Sequence, residues 1–221
     1  MKKSVNLSPA LAFLYDLRDN NNKAWFDANR ARYEQAKAAF EEFVQLLIAE
    51  IDKFDKLGIL SPKECIFRIH RDVRFSKDKS PYKTNMGALM APGGKKSARQ
   101  GYYFHLAPND ESFLAGGLYM PPPEPLAQFR QAIDRDAAPF KKIIRAKKFV
   151  KYFGTLDGTK LATAPKGYPR DHPEIELLKL KDVTVARRLS DQEVLSANIV
   201  ADAARGYRLM MPFLKYLDSV S

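Results

Sequence analysis

The chain has 221 residues, 45% of them hydrophobic, with a formal net charge of +11 and one cysteine. That is enough apolar material for a buried core, so a disordered chain is not expected, and the positive excess favours anionic partners. The lone Cys65 excludes an internal disulfide and argues against a cysteine-ligated metal. It fits a reducing, cytoplasmic setting.

The amino terminus carries Lys2 and Lys3 ahead of a short apolar run, but Asp16, Arg18 and Asp19 interrupt it before a signal-peptide core can form, so it reads as a mature end. No apolar run approaches the roughly 20 residues of a membrane-spanning helix, and no membrane partner is expected. Ser8 and Pro9 then open a helix, as a cap followed by the residue best tolerated in a first turn, with Leu11, Leu14, Tyr15 and Arg18 at helical spacing. Asn20, Asn21 and Asn22 stop it and can cap the next. Phe26, Tyr33, Ala36, Phe40, Phe43, Leu47, Ile51 and Phe54 fall three or four apart, an amphipathic stripe that should cover a sheet. Gly58 and the Ser61, Pro62 pair end this helical layer, which spans 8–57.

A sheet region is expected over 65–120. Its first strand is read in Ile66 to Phe75, followed by Thr84 to Met90, Gly101 to Leu106 and Ser112 to Tyr119. The connections are short enough for antiparallel neighbours. Pro92 to Arg99, rich in glycine and lysine, is the candidate mobile loop and could serve as a lid. Pro121, Pro122 and Pro123 close the sheet, and a helical part covers 124–219. Helices start near Glu124 and Pro139, a polybasic run spans Lys141 to Lys151, Gly154 to Asp171 is mostly loop, and Pro173 and Glu174 open a short helix. A Ser190, Glu193 capping box begins one or two final helices bent at Pro212. The whole is α+β: an antiparallel sheet covered by N-terminal and C-terminal helices in a single domain.

Chemistry concentrates between Ile66 and Asn85, where Arg68, Arg71, Arg74, Lys77, Lys79 and Lys83 face only Asp72 and Asp78. As a strand, this stretch puts Phe67, Ile69, Val73 and Phe75 on one face and Arg68, His70, Asp72 and Arg74 on the other. Arg71 falls on the apolar side. An unpaired guanidinium there costs on the order of several kcal/mol, so it needs a carboxylate, a ligand or a bulge that turns it outward.

The pairing of FLYDLRDNNNKAWFDANRARYE with RIHRDVRFSKDKSPYKTN, followed by GYYFHLAP, AGGLYMPPPEPL and PKGYPRDHP, resembles the family known as domain of unknown function 2461, in order and over nearly the whole chain. Tyr119 stands where that pattern more often has tryptophan. The resemblance implies one intact α+β domain and carries over no activity, cofactor or catalytic residue.

Known signatures are absent. LMAPGGKKS has Leu89 and Lys96 where a phosphate-binding loop needs glycine and a hydroxyl residue. His70, His105 and His172 make no helical pair, so no metal site is assigned, although His70 and His105 could meet Asp72 across a sheet. Ser76, Ser80, Tyr82 and Cys65 lie in no nucleophile elbow.

What remains is an anion site. Arg68, Arg71, Arg74, Lys79, Tyr82 and Lys83 would hold a phosphate or carboxylate, with Asp72 or His105 handling a proton and Trp25, Tyr102 and Tyr103 offering stacking surfaces. The structural alternative pairs Asp72 with Arg68 or Arg74 and Asp78 with Lys83. Two other functions stay open. One is a nucleic-acid-binding module that adds the Lys141 to Lys151 run as a backbone track, and the other is a scaffold for an acidic protein. Cofactor use and oligomeric state are not legible.

Overall fold

The computed structural model describes residues 5–220; Lys2 and Lys3, on which part of the amino-terminal reading rests, lie outside the described residues. The chain is α+β, with ten helices and a four-stranded antiparallel sheet among the described residues.

The first helix, α1 (Ser8–Asp19), starts where expected with Pro9 in its first turn, but Ser8 is its first residue rather than its cap, which is Leu7 with no side-chain hydrogen bond; the helix buries Leu11, Phe13, Leu14 and Leu17. Asn22 caps α2 (Lys23–Ala28): its side-chain oxygen accepts from Trp25 N–H at 3.0 Å. Asn29 then divides the long stripe. Its backbone N–H bonds back to Trp25 and Phe26, its side-chain amide donates to Trp25 O, and α3 (Arg30–Ile51) begins directly after it. The buried face of α3 is Ala36, Phe40, Phe43, Val44, Leu47, Ile48 and Ile51. A one-turn helix, α4 (Pro62–Cys65), was not expected; Ser61 and Glu64 form its capping box.

The sheet has the order β1 (Met86–Met90), β2 (Tyr102–Leu106), β3 (Ser112–Leu118), β4 (Val183–Leu189). β1 and β2 are antiparallel, with Gly87 opposite His105 and Leu89 opposite Tyr103. Alternation sends Tyr102, Phe104 and Leu106 to the covered face, where Phe43 meets Phe104 edge-on at 4.6 Å and the Tyr102 hydroxyl donates to Asp55 at 2.7 Å. Tyr103, His105 and Phe113 take the opposite face and stay half-buried. Asn109 and Asp110, both at positive φ, make the turn into β3, and the Ser112 hydroxyl closes it on the backbone of Ala107.

Two expectations fail here. Residues 66–75 form no strand, and the fourth strand comes instead from 183–189, within the part read as helical. Val183, Thr184 and Val185 are all buried, so β4 lacks the alternation that would have revealed it. Gly117, at φ +123°, lies so close to β4 that a Cβ would stand 2.2 Å from the Val183 carbonyl.

Contacts gather into two units. Among the described residues one holds 5–97 with 102–114 and 188–205, and the other holds 98–101, 115–187 and 206–220. In the first, α9 (Asp191–Val194) carries the expected Ser190, Glu193 box, and Asp191 accepts from the N–H groups of Asn109 and Asp110. The second contains α5 (Pro123–Arg135), α6 (Ala138–Ile144), α7 (Lys147–Phe153), α8 (Ile175–Leu178) and most of α10 (Ile199–Val220), which runs through Pro212 as one helix. Its core includes Phe129, Phe140, Phe149 and Phe213 in ring contact. The polybasic run is split between α6 and α7, and Lys141 is paired with Glu174.

Candidate functional site

The basic segment belongs to the first unit and is a finger rather than a strand. Its base joins the sheet edge, where Ile66 bridges Ala88 and Phe67 N–H donates to Gly87 O at 2.9 Å. Its neck pairs with itself: Arg71 N–H donates to Pro81 O, Lys83 N–H to Ile69 O, and His70 bridges Tyr82. Two local turns bend the chain between. Asp72 accepts from Arg74 N–H and Asp78 from Ser80 N–H, offering the backbone an alternative to a sheet ladder. The expected apolar face is therefore dispersed, with Ile69 at 5% exposure and Phe75 at 96%.

Within the finger both carboxylates are spent. The Arg71 guanidinium is paired with Asp78 and donates to Ser80 O and Ser76 Oγ, which answers what its position demanded. The partner expected for Asp78 was Lys83, but Arg71 holds it instead, and the Ser80 hydroxyl with Arg71 keeps its carboxyl far below the usual range. Arg74 grips both oxygens of Asp72, at 2.9 and 2.6 Å, and lowers that carboxyl too, so Asp72 is a weak base. Lys79 donates to Val73 O at 3.1 Å.

Tyr82 is buried and stacked on Phe26 at 4.0 Å, in a cluster with Phe13, Trp25 and Tyr33; His70 meets the same pair of rings. Trp25 packs against Phe13 there, and Tyr102 lies on the covered side of the sheet. His70 and His105 thus belong to different clusters, and among the described residues no three His, Cys, Asp or Glu side chains could share a metal ion. In the glycine-lysine segment, Lys95 Nζ donates to Lys63 O at 2.6 Å beside α4.

Arg68, Lys77, Lys79 and Lys83 have no carboxylate within ion-pair distance among the described residues, and of these Arg68 and Lys83 lie within electrostatic reach of each other. Burial and the Arg68 guanidinium hold the Lys83 ammonium below the usual lysine range. Its Nζ stands 5.7 Å from the centre of the Phe67 ring, which is 37% exposed. Phe67 meets Tyr103 edge-on at 6.3 Å, and Tyr103 leads to the rest of the outward sheet face. There the Tyr103 hydroxyl is 3.0 Å from His105 Nδ1, and His105 stacks on Phe113 at 4.5 Å. Burial lowers His105 to about 4, so its imidazole is neutral at neutral pH.

The outward role of Phe67, Phe113 and Gly87 escaped the sequence reading. The signal for Phe113 was available, because alternation in β3 opposes it to buried Ser112 and Leu114. The second unit has an open cleft of about 570 Å³ between α5, α6 and the His172 loop. Lys141 is paired there with Glu174 and His172 with Asp134 at 3.0 Å, while Arg135, Lys142 and Arg145 on the same lining have no ion pair among the described residues.

Fold and site together describe an α+β protein with a basic finger rooted at a sheet edge. The chain belongs to the family described as Conserved hypothetical protein (DUF2461), whose model matches residues 9–216. No curated protein and no solved structure matches it.

Proposed function

We propose that this protein binds a phosphate- or carboxylate-bearing small molecule at Arg68 and Lys83. What carries the reading is one observation: Arg68 and half-buried Lys83 lie within electrostatic reach of each other and neither has an ion-pair partner among the described residues, since Asp72, the carboxylate that feels Arg68, is held by Arg74. Such a pair costs free energy in the empty protein, and an anion bound across it would relieve both the repulsion and the desolvation. A guanidinium supplies a planar two-donor fork and the ammonium adds a compact charge. Arg71, Arg74 and Lys79 shape the finger in this reading, and Arg68 and Lys83 do the binding.

Thermal-shift measurements against phosphate esters and small carboxylates test it. A ligand at 100 times its dissociation constant stabilises the folded state by about 2.7 kcal/mol. The stabilisation is expected to vanish in Arg68→Ala and Lys83→Met and to survive in Arg74→Ala. Equal responses in all three variants would remove the proposed site.

A further inference from the structure

The two cations account for an anionic group only, and the surface beside them has a different character. Gly87 sits where β1 passes under Tyr103. A Cβ at that position would stand 2.6 Å from the Tyr103 hydroxyl and 3.2 Å from two of its ring carbons, so the ring lies across the strand only because residue 87 has no side chain. Phe67 borders this ring at 6.3 Å and Phe113 at 5.8 Å, both inclined to it.

All of these residues lie on the side of the sheet away from Tyr102, Phe104 and Leu106. Half-buried aromatic rings on an outward sheet face beside unpaired cations make a surface on which a planar ring can lie while its charge is held nearby. Spacing narrows the ligand. The step from Lys83 Nζ to the Phe67 ring is 5.7 Å and the next, from Phe67 to Tyr103, is 6.3 Å. An aryl carboxylate, whose charge is attached directly to its ring, would place that ring at Phe67 next to Lys83, whereas a sugar between phosphate and ring lets the base pass Phe67 to Tyr103. His105 Nε2 has no protein partner among the described residues, which leaves a neutral hydrogen-bonding group at the far end for the edge of a base.

We infer that the ligand is a nucleotide, its phosphate on Arg68 and Lys83 and its base against Tyr103 between Phe67 and Phe113. This rests on the anion reading above and adds the ring to it.

Calorimetric titration of the full chain with AMP, GMP, CMP and UMP, and in parallel with ribose 5-phosphate and inorganic phosphate, separates the two. At least one nucleotide is expected to bind about tenfold or more tightly than ribose 5-phosphate. Tyr103→Leu should erase that difference while leaving ribose 5-phosphate binding unchanged, and Tyr103→Phe should keep it. If ribose 5-phosphate or phosphate binds as tightly as every nucleotide, the ring inference falls and the anion reading stands; if nothing binds, both fall. Should Tyr103→Leu not fold, the His105 ring proton resonances of the wild-type chain decide. A shift with the nucleotide but not with ribose 5-phosphate supports the proposal, and no shift with either overturns it.

Discussion

Asn21 holds the backbone of Tyr82 from both sides: its amide nitrogen donates to the Tyr82 carbonyl at 2.9 Å and its amide oxygen accepts from the Tyr82 N–H at 3.1 Å. The loop between α1 and α2 thereby fixes the neck of the finger, and Phe26 stacking on Tyr82 seals the contact. This ties the two longest recognisable motifs of the chain to each other. Replacing Asn21 by Leu leaves a half-buried donor and acceptor without partners, and two lost hydrogen bonds of this kind cost about 2–3 kcal/mol. Asn21→Asp keeps the acceptor but sets a carboxylate against the Tyr82 carbonyl, so it should be nearly as damaging. Urea denaturation of both variants measures this, and a midpoint unchanged from wild type would show that the clamp contributes nothing.

His105 makes stability depend on acid. Its folded value of about 4 lies below the ordinary 6.5 because burial disfavours the imidazolium, so between those values the unfolded chain binds more protons. Stability therefore falls as pH drops from 6.5 towards 4 and levels off below. After allowing for the ring's partial exposure, the loss is about 2–3 kcal/mol. His105→Gln, which can still bond the Tyr103 hydroxyl, should remove that part of the acid limb. Denaturation curves at pH 7, 6, 5 and 4 for the two proteins give the comparison, and parallel pH profiles would assign the acid sensitivity elsewhere.

What could be read from the sequence was what local chemistry decides. Pro9, Asn22, and the Ser190, Glu193 box act within a few residues, and each begins a helix where expected, although Ser8 does not supply the cap read for it. The alternation of β2 and β3 likewise follows from one face being covered. The finger was misread because Phe67, Ile69, Val73 and Phe75 have the period of a strand, whereas strand formation needs a partner along the whole length. Phe67 finds Gly87 and Arg71 finds Pro81, so the pairing changes within four residues. Arg68 and Lys83 stood among the expected ligand residues. Their separation from Arg71 and Arg74 was not legible, because it depends on which carboxylate each guanidinium reaches across the turns.

Cys65 is expected to be chemically silent in the native state. It is fully buried, and burial raises its thiol to about 12, so almost no thiolate exists at neutral pH. Titration with a chromogenic disulfide reagent should give no reaction over minutes in buffer and one thiol per chain in denaturant. Rapid labelling of the native protein would mean that α4 opens readily, because Cys65 is its last residue.

Lys83 supplies a test of the unpaired charge that needs no ligand. Its folded value is depressed below 10.5 by burial and by Arg68, so protonated Lys83 opposes folding. Above 10.5 the side chain is neutral in both states and the penalty is absent. As pH falls from 10.5 towards the folded value the penalty builds, and below that value, as at pH 7, it is complete. Lys83→Met keeps the length and apolar stem without the charge, so it should be more stable than wild type at pH 7, with the gap closing as pH approaches 10.5. Arg68→Ala should stabilise for part of the same reason, and the double variant should gain less than the two singles together, since either change removes the repulsion. Full additivity in a double-mutant cycle would mean that the two side chains do not meet, and the anion site proposed between them would lose its basis.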